Sequence, residues 1–282
     1  MEYIGTIFLN KVFGMFSVFE ENCMDNNKYA NYIVAVDLDD TLLTTNKEVS
    51  NYTLDVLNRC KENGFSIAIS STRGYSTCYR IADLISADYI CCQSGNMIVD
   101  KNKTIIYKNS FDQNDVAELI DYFSKYTQDI IIDSDFDLIG HTTQAFADKW
   151  GALLCDLATL KTIPAYKLCV GFEDSYRSII EKYCEEKGFV YRKMIDADYM
   201  FITPANSNKY YALQQLMKIL DSSPDKLVVF GDDDSDLVSI ENAGFGVAMA
   251  NSKIHVLNAA KFTTDSNDED GVAKFLEKQF LI

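Results

Sequence analysis

The stretch YIVAVDLDDTLLT, residues 32–44, decides the fold. Its first five residues, Tyr32 to Val36, are mostly β-branched or aromatic, and a short apolar run of this kind is typical of a strand buried on both faces. The run stops at Asp37 and Asp39, whose spacing places both side chains on the same side of an extended chain. In an open α/β sheet, ligands bind at the carboxyl ends of the strands. Two carboxylates held together there repel each other, so the pair indicates a bound cation or a shared proton.

Two further apolar runs indicate that this strand belongs to a parallel sheet. A helical pattern over residues 50–63 separates the first run from a second at Phe65–Ile69, which predicts a strand, helix and strand with a right-handed crossover. The second run ends in SSTRG, residues 70–74. These small hydroxyl residues are suited either to donate hydrogen bonds to an oxyanion or to cap the helix that follows. A third apolar run covers Tyr89–Cys92.

The pattern changes between about residue 97 and residue 199. Short alternating stretches lie between polar helical segments there, which predicts a separate α+β unit. This segment contains Trp150 and His141, for which a contact with substrate is the one role we assign. The α/β pattern then resumes with a predicted helix at Lys209–Leu220 and a buried strand at Lys226–Phe230.

The strand at Lys226–Phe230 is followed by a second acidic cluster, GDDDSD, residues 231–236. Two carboxylate clusters at the ends of two strands supply the few oxygen ligands that Mg²⁺ prefers. The alternate aspartates also resemble the start of a calcium-binding EF-hand loop. That interpretation fails because Leu237 stands where the loop needs glycine and Ala243 stands where it needs a bidentate glutamate.

Composition limits the partners of the protein. The 282 residues include 26 Lys and Arg against 42 Asp and Glu, for a net charge of −16. A surface of this charge repels phosphate backbones, so we expect no nucleic-acid partner. A small anionic substrate would need a metal, a lysine and backbone N–H groups at the site to overcome the same field.

The cysteines and the amino-terminal segment bear on the compartment. None of the eight cysteines forms a C-x-x-C pair, and dispersed thiols of this kind are typical of core residues in a reducing compartment, which favours the cytoplasm. No apolar span reaches membrane length, and the aromatic-rich segment Met1–Phe19 lacks a basic start. We therefore predict neither a signal peptide nor a membrane partner. Residues 1–30 are interpreted as an extension, with Met24 as a candidate start.

Together, these motifs resemble the haloacid dehalogenase (HAD) superfamily, specifically its Cof-type (subfamily IIB) phosphatases. The segments that carry the resemblance are DLDDTLL at 37–43, SSTR at 70–73, FITPANSNK at 201–209, GDDDSD at 231–236, AGFGVAMAN at 243–251 and FTTDSNDEDGV at 262–272. The resemblance implies a Rossmann-like parallel-sheet core made of residues 31–97 and 200–282. Residues 98–199 stand where this family inserts an α+β cap domain.

The resemblance also implies a phosphoaspartyl mechanism. Asp37 would attack phosphorus, and Asp39 would protonate the leaving alcohol and then activate water. Mg²⁺ would be held by Asp37, Asp232 and the backbone carbonyl of Asp39.

Phosphate binding would fall to Ser71, Thr72 and Lys209. Asp236 would hold Lys209 or a metal-bound water, with Asp233 and Ser235 beside it. The implied substrate is a small phosphorylated metabolite, with sugar phosphates favoured, and we expect a monomer or a weak homodimer.

Two alternatives stay open. A phosphosugar mutase of the same superfamily would move phosphate within its substrate instead of releasing it. A catalytically quiet member that kept the metal site is the other, because four positions depart from the family pattern. Asp40 and Thr72 replace glycines, and Ser94 and Ser235 replace asparagines.

Overall fold

The structure, a computed structural model, describes residues 28–193 and 198–281. Its strands are β1 Ile33–Val36, β2 Ser66–Ser70, β3 Tyr89–Cys92, β4 Met97–Asp100, β5 Ile105–Lys108, β6 Ile130–Asp133, β7 Leu138–His141, β8 Leu153–Leu154, β9 Lys167–Gly171, β10 Val190–Lys193, β11 Tyr199–Thr203, β12 Leu227–Gly231, β13 Phe245–Ala248 and β14 Phe262–Thr263. Its helices are α1 Asn51–Glu62, α2 Tyr75–Leu84, α3 Gln113–Phe123, α4 Gln144–Trp150, α5 Leu157–Leu160, α6 Arg177–Lys187, α7 Lys209–Ile219, α8 Leu237–Asn242, α9 Ile254–Ala259 and α10 Gly271–Leu276. Single helical turns cover Leu38–Leu42, Gln93–Gly95, Asp174–Tyr176, Pro224–Lys226, Asn267–Glu269 and Glu277–Leu281.

The first sheet has eight strands in the order β14-β13-β12-β1-β2-β3-β4-β5. The strands from β14 to β3 are parallel, whereas β4 and β5 add an antiparallel edge. Strand β1 lies in the middle, with Ile33 opposite Leu227 of β12 on one side and Ser66 of β2 on the other. This confirms the predicted α/β fold with a parallel-sheet core.

Helices cover both faces of this sheet. Val34 and Val36 of β1 pack into a cluster that includes residues of α1, α2 and α10. The alternate residues, Ile33 and Ala35, pack on the other face with α7, α8 and α9. All four residues are fully buried, which explains why β1 reads as an uninterrupted apolar run.

The second sheet has six strands in the order β10-β11-β9-β6-β7-β8, and every pair except β7 with β8 is antiparallel. Helices α3 and α6 pack on one of its faces. That face is formed by alternate residues of the central strands: Ile130, Ile132, Leu168, Val170, Met200 and Ile202. The opposite face is left uncovered by helices of this cluster and bears on the site described below.

Membership of the two sheets bears on the predicted domain boundaries. Strands β4 and β5 belong to the first sheet although they lie within or beside the predicted cap segment 98–199, and β11 belongs to the second sheet although it extends into the predicted core segment. We therefore propose that the inserted unit begins after β5 and ends with β11. The segments Met1–Phe19 and the candidate start at Met24 lie outside the described residues. In the part of the chain that is described, no helix is both long and apolar enough to span a membrane.

Candidate active site

Three carboxylates from two neighbouring strands meet at one edge of the first sheet. Asp37 follows β1, and Asp232 and Asp236 follow β12, its parallel neighbour. One oxygen from each lies within 4.8 Å of the others. Thr41 of the turn after β1 donates a hydrogen bond of 3.0 Å from Oγ1 to Oδ1 of Asp232, which links the two strand ends. Adjacency of β1 and β12 thus brings the two acidic stretches together, with Asp236 beside Asp37 and Asp232 in the cluster and without the side chain of Asp39.

Lys209 places a buried cation between two of these carboxylates. Its Nζ lies 2.7 Å from Oδ1 of Asp37 and 2.7 Å from Oδ1 of Asp236. The lysine is the first residue of α7, whose start is held against Gly95. A Cβ at Gly95 would lie 2.0 Å from the carbonyl oxygen of Asn208, and its φ of +88° also favours glycine. The close approach of this turn therefore positions the lysine.

Burial governs the protonation of the cluster. It raises the pKa of Asp37 to about 7, with repulsion from Asp236 adding to the effect and attraction by Lys209 opposing it. Burial likewise raises the pKa of Asp232 to about 6. The pKa of Lys209 lies above its ordinary value despite burial, because two carboxylates attract its proton. The ammonium is therefore retained, while the carboxylates lack enough positive charge to ionise readily together.

The donor set fits a divalent cation. Clustered carboxylate oxygens are hard ligands of the kind that Mg²⁺ takes, and its charge would favour the ionised form of each. Asp37 and Asp232 would hold it. The oxygens of Asp236 already have other partners: Oδ1 pairs with Lys209, and Oδ2 accepts hydrogen bonds from the backbone N–H groups of Asp232 and Asp233 at 3.3 and 3.4 Å.

The Asp39 side chain turns to different partners. Arg73 donates two hydrogen bonds to it, from Nε at 2.7 Å and from Nη2 at 2.6 Å, and Lys47 donates a third at 3.0 Å. Partial burial by itself would raise the pKa of Asp39, but these bonds outweigh it and hold the pKa below its usual value. In this arrangement Asp39 is an ionised acceptor.

Ser71 and Thr72 occupy different environments. Ser71 is buried, and its Oγ accepts a hydrogen bond of 3.2 Å from the N–H of Arg73. Among the described residues, Thr72 contributes to the cavity wall and Ser71 does not. Direct contact of Ser71 with a phosphoryl group stays a prediction.

Asp233 and Ser235 form a second small network beside the carboxylates. Oδ1 of Asp233 accepts hydrogen bonds from the N–H and the hydroxyl of Ser235 at 2.8 and 2.7 Å, and Oδ2 accepts one from Arg192 at 2.8 Å. Burial would raise the pKa of Asp233, but these donors lower it to about 2. Because Arg192 lies on β10, this network joins the second sheet to the first.

A cavity of about 780 Å³ lies between the carboxylates and the uncovered face of the second sheet. A buried ion pair, Lys167 with Asp133 at 2.6 Å, lines it, and Nζ of Lys167 also donates to the carbonyl of Thr72 at 3.1 Å. Trp150 and Arg192 line it too. Apart from Trp150, sequence reasoning missed these cap residues. The alternation of β9 was the available signal for Lys167, but alternation does not say which face of the strand packs under the helices and which lines the cavity.

Comparison with known proteins supports a single family. Residues 34–276 match the family model described as haloacid dehalogenase-like hydrolase. The chain is 27% identical over 275 residues to the Bacillus subtilis 5-amino-6-(5-phospho-D-ribitylamino)uracil phosphatase YitU, covering 89% of this chain and 98% of that protein.

Solved structures agree in fold. A haloacid dehalogenase-like hydrolase from Bacteroides thetaiotaomicron superposes with a TM-score of 0.78 at 23% identity, covering 88% of this chain and 99% of the other. A HAD subclass IIB sugar phosphatase gives a TM-score of 0.74 at 16% identity, covering 89% and 100%. With the family model spanning both parts of the first sheet and everything between, the chain belongs to the haloacid dehalogenase-like hydrolases.

Proposed function

We propose that this protein is a Mg²⁺-dependent phosphatase that hydrolyses small phosphomonoesters through a phosphoaspartyl intermediate on Asp37. The observation that carries the proposal is the buried contact of Asp37 with Lys209 at 2.7 Å, within a cluster that also includes Asp232. When bound, Mg²⁺ would neutralise charge on the phosphoryl group and on the carboxylates.

Asp37 would act as the nucleophile. One of its carboxylate oxygens would form a bond to phosphorus while the ester P–O bond breaks and its electron pair passes to the leaving oxygen. Lys209 favours the ionised form of Asp37 and would also attract a phosphoryl oxygen. Asp236 holds the ammonium in place from its other side, at 2.7 Å.

Asp39 would transfer the protons. In the first half-reaction it gives a proton to the leaving alcohol, and in the second it takes one from the water that attacks phosphorus and frees Asp37. Its present bonds to Arg73 and Lys47 suit the second task, because they keep the carboxylate ionised. The first task requires that Asp39 leave these partners, take up a proton from solvent and pass it to the leaving oxygen.

The substrate panel follows from the sequence and from the relatives. Sugar phosphates are candidates from the sequence resemblance. The name of the relative YitU adds 5-amino-6-(5-phospho-D-ribitylamino)uracil, in which an open polyol chain joins phosphate to a pyrimidine ring. A phosphosugar mutase is distinguished by its products, since it yields an isomeric phosphosugar in place of free phosphate.

Release of inorganic phosphate from p-nitrophenyl phosphate and from this panel, with and without Mg²⁺, tests the proposal. We expect Mg²⁺-dependent release that Asp37→Asn abolishes. Asp55→Asn is the matched control, because Asp55 is an exposed carboxylate on α1 whose side chain is 66% accessible. Release that persists in Asp37→Asn, or that does not require a divalent metal, would refute the mechanism.

A further inference from the structure

Three aromatic side chains form a wall at one end of the cavity. Tyr199 and Phe201 stand on β11, and Trp150 ends α4. The ring centroid of Trp150 lies 5.1 Å from that of Tyr199 and 5.8 Å from that of Phe201. All three line the cavity and are partly exposed. We call these three residues the aromatic wall.

The aromatic wall is not part of a hydrophobic core in the described structure. Tyr199 and Phe201 alternate with Met200 and Ile202, and only the latter pair packs into the cluster beneath α3 and α6. None of the three wall residues belongs to any of the three core clusters found among the described residues. Large aromatic side chains grouped on a sheet face that lines a cavity are typical of a surface for an apolar or planar ligand.

The wall begins at the charged end of the cavity, where the ring centroid of Phe201 lies 4.9 Å from Nζ of Lys167, and its Tyr199 end lies farther along the sheet. Lys167 and Asp133 are paired across β9 and β6, and Lys167 contacts the core through Thr72. Tyr199 is opposite Gly171, four residues further along β9 than Lys167. At about 3.3 Å per residue, this separation amounts to about 13 Å. A ligand that reaches from one end to the other must therefore be extended.

A lysine completes the far end. Nζ of Lys149 lies 4.8 Å from the ring centroid of Tyr199 and 5.6 Å from that of Trp150. The Lys149 side chain is exposed and also lines the cavity. It can donate hydrogen bonds to acceptor atoms on the edge of a ring that stacks on the wall.

We propose that the aromatic wall and Lys149 bind a planar, acceptor-bearing ring that an open chain joins to the phosphate. The phosphate end would lie at Asp37 and Lys209. This inference rests on the proposed phosphatase function for its assignment of the phosphate end, but the wall itself can be tested by binding alone. Such a site would select phosphomonoesters in which a flexible polyol joins the phosphate to a heteroaromatic ring over compact sugar phosphates.

Two substrates that differ only in the ring provide the first test. Riboflavin 5′-phosphate and ribitol 5-phosphate share the phosphate and the five-carbon chain, and glucose 6-phosphate represents a compact sugar. We expect the highest kcat/KM for riboflavin 5′-phosphate. Trp150→Leu and Tyr199→Leu should each lower that value about tenfold while changing the value for ribitol 5-phosphate less than about twofold, since stacking supplies the difference. Tyr126→Leu is the control, because Tyr126 contacts Tyr122 and Tyr176 away from the cavity lining.

Failure of this inference differs from failure of the proposed function. If phosphate is released but ribitol 5-phosphate or glucose 6-phosphate equals the ring-bearing compound, or if the wall variants lower all substrates alike, the ring site is wrong and the phosphatase stands. If no phosphate is released, quenching of riboflavin 5′-phosphate fluorescence decides. Quenching that ribitol 5-phosphate displaces poorly and that Trp150→Leu weakens supports the ring site, whereas no quenching overturns it.

Discussion

Replacing Lys209 by methionine tests whether the buried charges are balanced as the structure indicates. The substitution removes an ammonium shared by Asp37 and Asp236, and the three side chains are only 3%, 10% and 2% exposed, so water cannot take its place. Removing one partner of a buried ion pair costs about 3–5 kcal/mol, and we expect the free energy of unfolding at pH 8 without metal to fall by that amount. For a chain of this size the loss corresponds to a decrease in Tm of roughly 6–20 °C.

The dependence of this loss on pH identifies its cause. Burial raises the pKa of Asp37 to about 7 and raises that of Asp236 as well, so both carboxyls can take up protons as the pH falls. Protonation removes the unpaired charge, and the loss should therefore shrink at pH 5. Added Mg²⁺ should recover part of it at pH 8, because the cation supplies the missing positive charge.

Urea denaturation of wild type and Lys209→Met at pH 5 and pH 8, with and without Mg²⁺, measures both effects. Lys182→Met is the matched control. That ammonium is 76% exposed and lies 3.7 Å from Glu186, so its removal should change stability by less than about 0.5 kcal/mol. A loss for Lys209→Met that matches the control, or that is as large at pH 5 as at pH 8, would refute the reasoning.

Three further predictions concern the pH dependence of stability, the proton-transfer residue and a buried ion pair of the second sheet. In the metal-free protein the raised pKa values of Asp37 and Asp232 mean that the folded state keeps protons that the unfolded state has released, so Tm should fall as pH rises from 5 to 8. Over the same range the affinity for Mg²⁺, measured by calorimetry, should increase because the metal binds the deprotonated carboxylates. An affinity for Mg²⁺ that does not change with pH would contradict this prediction. Arg73→Met should raise the pKa of Asp39 and move the acidic limb of the pH profile of kcat to higher pH. If that limb does not move, the hydrogen bonds of 2.6 and 2.7 Å between Arg73 and Asp39 have no influence on turnover. Lys167→Met removes the partner of a buried carboxylate and should lower the free energy of unfolding by about 3 kcal/mol in denaturant titrations. An unchanged free energy of unfolding would contradict a stabilising role for this ion pair.

Much of the first sheet was predictable because its signals are local. Strand β3 has the bounds Tyr89–Cys92 that the apolar run predicted. Helix α1 begins after Ser50, whose hydroxyl accepts a hydrogen bond from the N–H of Thr53 at 3.0 Å, in agreement with the predicted start. The meeting of Asp37 with Asp232 followed from strand ends in a parallel sheet, where the carboxyl ends share one edge.

The features that were missed depend on contacts between distant segments. Strands β4 and β5 have patterns that suit either sheet, and only the pairing of β4 with β3 and of β5 with β4 assigns them to the first. The alternation in β11 was visible, yet nothing local tells whether Tyr199 or Met200 faces the covering helices. The pairing of Asp39 with Arg73 joins residues 34 apart through the geometry of two strand ends, which a spacing rule does not specify.

The most direct test of the account is to look for the phosphoryl group on Asp37 during turnover. Enzyme quenched in acid while hydrolysing a phosphomonoester in the presence of Mg²⁺ would be digested and its peptides mapped by mass spectrometry. We predict one phosphoryl group on the peptide that contains Asp37, and none without Mg²⁺ or in Asp37→Asn. Steady release of phosphate by an enzyme whose trapped phosphoryl group lies on another residue would contradict the account.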